Sequence, residues 1–365
     1  MENNSKIKEI LHMKISHEQE LNLIKGILLG ANYSEEDADT ISKVVTHSDF
    51  TGVYSHGLSR LTRYLRQIDT GALNPEPHME MVLDGGAIMV FDGDNGSGIV
   101  SVNRAYDECI KRAKQYGVAI AVGRRNANIG CGSYYGWRAA KDDMALLLCC
   151  NTYAFTAPFG GADRMIGTNP IVFALPTDKE LPMVLDISTT NVAMGKIQAH
   201  EREGKEIPLG WASDYEGNPT TDPSKAYALT PVANHKGYGL AVMVDALSTL
   251  FSGAAFGSNI GLFSKLEPEN TGFFMLLIDP SKFMALDEFK ANADTYIRMM
   301  KDSRKAPGVN EIYMPGELEF KAFDRFLESG IEVSEALQAE LAQLATRLGI
   351  NYGGEDFDAL LKFFN

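Results

Sequence analysis

The sequence predicts a mixed α/β protein in two lobes, a helical lobe made from both chain ends and a mixed α/β lobe between them. Three observations lead there. Apolar residues follow a helical period through the first 75 residues and again after residue 320. From Met79 the pattern changes to short apolar runs bounded by glycine-rich turns, as in buried strands. No GxGxxG links a strand to a helix, so the middle lobe carries no Rossmann fingerprint. The lobes are expected as residues 1–78 with 315–365, and residues 79–314.

Ser16 with Gln19 forms a capping box ahead of Leu21, Leu23, Ile24, Ile27 and Leu28, and Gly30 and Asn32 mark where that helix stops. Ser34 with Asp37 repeats the start signal, and Ile41, Val44, Val45 and Ser48 give the next inner stripe. His47 lies one position off that stripe and reads as structural or surface. A further helix is expected from about His56. Gly52 and Gly57 bracket Ser55 and His56 and permit a close backbone approach or an abrupt turn. Residues 71–77 read as a connector.

In the middle lobe, strands are expected at 81–83 and 87–91 around Asp84-Gly85-Gly86, with a glycine-rich loop at 92–98. A helix at 102–115, a strand at 118–122, a helix at 134–141 and a buried strand at 144–150 follow. Residues 171–174 and 183–186 read as neighbouring strands, and 201–221 as polar and turn-rich. A long apolar helix at 237–251 is expected to be central to packing, followed by a buried strand at 272–278. Amphipathic helices return at 320–330 and 334–348.

The totals bound the function. A chain of 365 residues, 45% apolar, buries a large core. Its 34 Lys and Arg against 48 Asp and Glu, a net charge of -14, argue against nucleic acid or an anionic membrane as partner. A small anionic substrate stays open, because a local pair of arginines outweighs a diffuse negative surface. Cys109, Cys131, Cys149 and Cys150 have no metal-binding spacing and read as reduced, buried thiols of a cytoplasmic protein. The polar N-terminus is no signal peptide, and no apolar run is long enough to span a bilayer. Neither HExxH nor GxxxxGK[ST] occurs, and no metal site is expected.

The chemistry centres on His56, Arg60 and Arg63, spaced four and three residues apart. On a helix these share one face: a side chain that trades protons near neutrality beside two planar forks that grip carboxylates. Such a trio suits oxidation of a 2-hydroxy acid, although a solvated basic helix face has the same pattern. Three further stretches read as pieces of a site. Residues 151–161 end an apolar strand, and Asp186-Ile187-Ser188-Thr189-Thr190 follow another. Asn234-His235-Lys236-Gly237 open the long apolar helix, where free N–H groups and a lysine favour a phosphate oxygen.

Together these stretches resemble the type 2 malate/L-lactate dehydrogenase family. The matching segments are SHGLSRLTRYL (55–65), GCGSYY (130–135), APFGG (157–161), GTNPIVFALP (167–176) and VLDISTTNVAMGKI (184–197). IPLGWASDYEGNPTTDP (207–223), KGYGLAVMVDAL (236–247) and MPGELE (314–319) continue it in order. The resemblance implies an NAD-dependent oxidoreductase (NADP being the alternative) with a mainly antiparallel, non-Rossmann cofactor lobe, in a homodimer whose partner subunit lies near the active site. It implies His56 as acid/base and Arg60 as carboxylate holder. Cofactor contacts fall on Val184, Leu185, Asp186, Ile187, Ser188, Thr189 and Thr190, on His235, Lys236 and Gly237, and on Pro315, Gly316 and Glu317. Asn151, Gly160 and Gly161 line the same crevice, Asn151 as a substrate contact. One departure stands out: Asn128, a third catalytic candidate beside His56 and Arg60, occupies the place of a histidine with an active-site role in some relatives, and asparagine can orient a hydroxyl or an amide but carries no proton at neutral pH.

The expected reaction is hydride transfer between the nicotinamide and a small 2-hydroxy or 2-keto acid, with His56 taking or returning the hydroxyl proton. Malate and oxaloacetate are preferred, since Arg63 or Arg124 and Arg125 supply candidates for a second carboxylate anchor. The alternatives are lactate, sulfolactate, ureidoglycolate, a cyclic imine acid, a keto sugar acid, or a non-catalytic ligand-binding descendant of the fold.

Overall fold

The computed structural model describes residues 13–261, 267–354 and 356–365. The chain forms two compact units, one made of residues up to Thr62 and from Ala322 onward, the other running from Arg63 to Lys321.

In the first unit, Met13–Ile15 (β1) precedes His17–Gly30 (α1) and Glu35–Phe50 (α2). The capping box is in place: Ser16 accepts from the Gln19 backbone while Gln19 reaches back to the Ser16 N–H at 2.9 Å. Ser34 caps α2 by accepting from Asp37. The continuous helix expected from His56 does not form. Two 3-10 turns, Tyr54–His56 and Leu58–Arg60, meet at an extended Gly57 (φ -90°, ψ -152°), and Leu61–Asp69 (α3) begins only afterwards. Residues 13–15 are likewise strand rather than helix; the helical expectation for residues 1–12 lies outside the described residues.

The second unit is built on a seven-stranded sheet: Glu80–Asp84 (β2), Ile88–Gly96 (β3), Val118–Asn126 (β4), Ala145–Cys150 (β5), Ile171–Leu175 (β6), Met183–Ile187 (β7) and Thr271–Ile278. The last of these inserts between β4 and β5, antiparallel to both. Among the described strands of this sheet one pair is parallel, β3 with β4, and it is joined by the crossover helix Gly98–Tyr116 (α4). The sheet is thus mainly antiparallel. β3 runs on through the expected glycine loop, because Asp92 and Asp94 pair across the ladder with Arg124 and Arg125 at 2.9–3.1 Å. Asp94 and Asn95 take left-handed φ angles of 51° and 55° where the strand ends.

Alternation on the inserted strand divides the layers. Phe273, Met275 and Leu277 join Tyr106 of α4 and Tyr135 of Gly132–Lys141 (α5) in the main core. On the opposite face, Phe274 packs with Cys149, Ile171, Val244 and Leu247. Val244 and Leu247 belong to His235–Thr249 (α7), which follows the short helix Met194–Arg202 (α6) and a three-stranded sheet of Ala212–Ser213 (β8), Pro219–Thr220 (β9) and Ala228–Leu229 (β10). α7 is less central than its composition suggests. One stripe covers the sheet, but Leu240, Met243, Leu250 and Phe251 are 49–70% exposed on or just past it. With β10 numbered, the inserted strand Thr271–Ile278 is β11. Leu286–Lys301 (α8), which the periodicity did not reveal, completes the second unit.

The chain then returns to the first unit through Glu317–Ser329 (α9), Ile331–Val333 (β12), Glu335–Arg347 (α10) and Phe357–Phe364 (α11). β12 pairs with β1, and Phe323 packs against His17, His47 and Phe50 at ring distances of 5.9–6.2 Å. His47 is therefore a core histidine. Burial, with repulsion from His17, pushes its pKa down to about 3.

Candidate active site

In the first unit, the turn between α2 and α3 gathers Ser55, His56 and Arg60. Ser55 Oγ lies 2.9 Å from His56 Nδ1, and Arg60 donates through Nε to the Ser55 carbonyl. Both His56 and Arg60 are half-exposed, so the imidazole is not sealed in packed core. The turn is pinned from beneath. Ser48 donates to the Val53 carbonyl at 2.7 Å, and Leu58 donates its N–H to Asp49 Oδ2 at 2.5 Å.

In the second unit, Asp186 ends β7 beside the start of α5. Its Oδ2 accepts from the Ser133 N–H at 2.7 Å, and a Cβ on Gly132 would sit 3.0 Å from its oxygens. Solvent reaches Asp186, yet protein surrounds it closely enough to push its pKa up to about 6, against the two backbone donors that pull it down. Ile187 beyond it is exposed, and Ser188 bonds to Thr190. Thr189 is fixed by its N–H and hydroxyl on the Thr168 carbonyl, both at 2.9 Å. Thr189 also accepts from the Val232 N–H at 2.9 Å, which draws the start of α7 toward the same strand end. There His235 and Lys236 are exposed while Gly237 is buried. Ala233 and Asn234 hold positive φ angles of 49° and 55°, and Asn234 with ψ -115° lies where side chains are strained, a cost that clusters at ligand sites. The Phe159 ring lies 5.8 Å from that of His235, bringing the exposed, left-handed Gly160 alongside.

The turn at Pro315, Gly316 and Glu317 closes the free edge of β7. Pro315 accepts from the Val184 N–H at 3.0 Å, and Gly316 (φ +85°) approaches so closely that a Cβ would sit 2.6 Å from the Val184 carbonyl. Val184 is buried there, with Leu185 partly covered beside it. The Glu317 carboxylate is spent on structure: Lys301 at 2.6 Å, Lys321 at 3.0 Å and the Met314 N–H at 3.1 Å hold it, and its pKa falls to about 2.

Several sequence candidates are occupied. Asn151 is buried, with its amide donating to the Ala255 carbonyl and its oxygen accepting from the Gly272 N–H, both at 2.8 Å, so both ends of the side chain are bonded to backbone. Asn128 Oδ1 accepts from the Gly130 N–H at 2.8 Å and caps a turn. Arg63 bonds to Glu269 at 2.8 Å and to Tyr153, and Gln67 adds 2.9 Å to the same Glu269 oxygen. Arg124 and Arg125 are paired with aspartates as described above. None of these three guanidiniums is an uncommitted anchor for a second carboxylate. Sequence reasoning missed Glu269 and Tyr153 altogether, since their partner lies 206 and 90 residues away.

The donor set around Asp186 and α7 fits a nicotinamide dinucleotide: a helix start with Lys236 for phosphate oxygens, and an accessible acid at a strand end. A sequence profile for malate/L-lactate dehydrogenase matches residues 15–342. The chain is 34% identical to a malate dehydrogenase of Pyrococcus horikoshii, over 93% of this chain and 96% of that one. It is 34% identical to a ureidoglycolate dehydrogenase (NAD(+)) of Escherichia coli O157:H7, over 84% and 88%. Its fold matches the solved sulfolactate dehydrogenase of Methanocaldococcus jannaschii with a TM-score of 0.87 at 34% identity, over 93% of this chain and 98% of that one.

Proposed function

The chain belongs to the malate/L-lactate dehydrogenase family, and from that premise we propose that it interconverts a small 2-hydroxy acid and its 2-keto acid with NAD, malate and oxaloacetate being the first pair to test. The observation that carries this reading is the Ser55, His56 and Arg60 turn, where base and carboxylate fork share one short backbone segment. With the ring proton on Nδ1 and donated to Ser55 Oγ, Nε2 is the ring nitrogen that carries the lone pair, and it takes the substrate hydroxyl proton. In reduction Nε2 returns it. Arg60 holds the 1-carboxylate by its fork and so orients C2. The nicotinamide, when bound, supplies the hydride acceptor. Lys236 and the α7 start would hold its phosphates, and Asp186 and Thr190 would orient it.

Malate heads the substrate order on its relative's name, because Arg63, Arg124 and Arg125 are paired and no longer favour a dicarboxylate on charge grounds. Four buried, free cysteines support work in a reducing compartment such as the cytoplasm. The uncovered stripe of α7 supports a homodimer formed through that face. The test is NADH and NADPH oxidation with oxaloacetate, sulfopyruvate and pyruvate, on the wild type and His56→Ala. Turnover of a 2-keto acid that collapses in the variant supports the reading. Undiminished turnover in His56→Ala removes His56 as acid/base, and no oxidation with any of the acids overturns the activity.

A further inference from the structure

Beneath the His56 turn lie two carboxyl groups that the proposed reaction does not use. Glu20 on α1 is fully buried and Asp49, one residue from the end of α2, is 4% exposed. The two carboxyls lie against each other, and among the described residues no N–H or hydroxyl reaches either oxygen of Glu20. Two ionised carboxylates in contact in a dry interior repel each other and lack hydration. The negative end of the α2 dipole adds to the cost at Asp49. A single proton held between the oxygens relieves all three, with Glu20 donating and Asp49 accepting. Burial accordingly raises both groups, Asp49 to about 6 and Glu20 well above its ordinary value.

Asp49 is the contact between this pair and the turn. Its Oδ2 accepts the Leu58 N–H, and Gly57 packs on it so tightly that a Cβ would sit 1.9 Å from Oδ1. This close approach explains both the glycine at 57 and the break that prevents a helix from starting at His56. Other titratable or charged groups nearby are His17 on α1, His47 on α2 and Tyr54 on the turn, with Arg325 of α9 and Glu332 of β12 acting on Tyr54.

We propose that Glu20 and Asp49, holding one proton between them, are positioning residues that fix the Gly57 and Leu58 backbone and thereby set the direction of the His56 imidazole. The proposal rests on the reading of His56 as the acid/base. The variants are Glu20→Leu, Glu20→Gln, Asp49→Asn and Gly57→Ala in the full chain. Their readouts are kcat and KM for the 2-keto acid, NADH affinity by fluorescence, and the His56 imidazole titration by NMR, assigned by its loss in His56→Gln. Glu20→Leu, Asp49→Asn and Gly57→Ala are expected to lower kcat at least tenfold and displace the His56 titration, with NADH affinity within about twofold of wild type. Glu20→Gln, whose amide N–H replaces the carboxyl donor, should rescue most of what Glu20→Leu loses. Wild-type kcat and an unmoved titration in Glu20→Leu and Asp49→Asn would overturn the proposal. Where those variants do not fold, infrared spectra decide: a protonated carboxyl band at neutral pH that disappears in Glu20→Gln supports the shared proton, and its absence from the wild type refutes it. If His56→Gln keeps full turnover, the acid/base reading fails separately, while the NMR and infrared arms still judge the pair.

Discussion

Arg63 Nη2 stands 2.8 Å from Glu269 Oε1, an ion pair whose carboxylate side chain is 2% exposed. Tyr153 and Gln67 complete the set of donors around that oxygen. A guanidinium so placed holds α3 to the chain just before β11, and its charge is compensated within the protein.

Replacing Glu269 with glutamine is therefore expected to cost stability by about 3 kcal/mol, since it leaves a buried charge uncompensated. Tyr153→Phe, which removes both the bond the hydroxyl donates to Glu269 and the one it accepts from Arg63, should cost about 2 kcal/mol. Urea unfolding checks both: the midpoint should fall with the slope unchanged.

Arg60 has a different fate on the proposed reading. Arg60→Ala should lower kcat/KM for the 2-keto acid by about 100-fold, chiefly through KM. Arg60→Lys should recover only part, because a point charge lacks the planar fork. Steady-state kinetics at saturating NADH measures the split. Unchanged KM in Arg60→Ala would take the carboxylate away from Arg60.

His47 sets an acid limb to stability. Its folded pKa of about 3 lies below the 6.5 of the unfolded chain, so between those values the unfolded state binds a proton that the folded state refuses. Stability is complete above pH 6.5 and is lost as pH falls, by about 2 kcal/mol at pH 5. Glu20 and Asp49, with raised pKa values, act with the opposite sign: their contribution is lost as pH rises from about 4 through their folded pKa values. The difference between wild type and His47→Leu in melts from pH 7 to pH 4 isolates the histidine. Parallel curves for the two proteins would contradict the assignment.

The exposed stripe of α7 supplies the oligomer prediction. Met243→Glu combined with Leu250→Glu places two charges on a face that is 59% and 70% exposed at those residues. On the proposed homodimer, sedimentation should show a dimeric wild type and half that mass for the variant, with far-ultraviolet dichroism retained. A variant that stays dimeric would remove α7 as the contact, and a monomeric wild type would overturn the homodimer.

What could be read directly from the sequence was local. Caps at Ser16 and Ser34 announce their helices because donor and acceptor lie three residues apart. Apolar runs announce β5 and β11 because a strand covered on both faces has no room for polar side chains, and shorter runs announce β6 and β7, whose apolar residues are only partly covered. Segments in family order identified the dehydrogenase family and nominated His56. The tertiary structure decided what depends on distant partners. β11 enters between β4 and β5, Asn151 spends its amide on Ala255 and Gly272, and Arg63 finds Glu269 at a separation of 206 residues. The His56 turn shows the physical reason most clearly. Its spacing alone reads as a helix face, but the chain breaks at Gly57 because a carboxylate from α2, eight residues earlier in the chain, occupies the space a side chain would need.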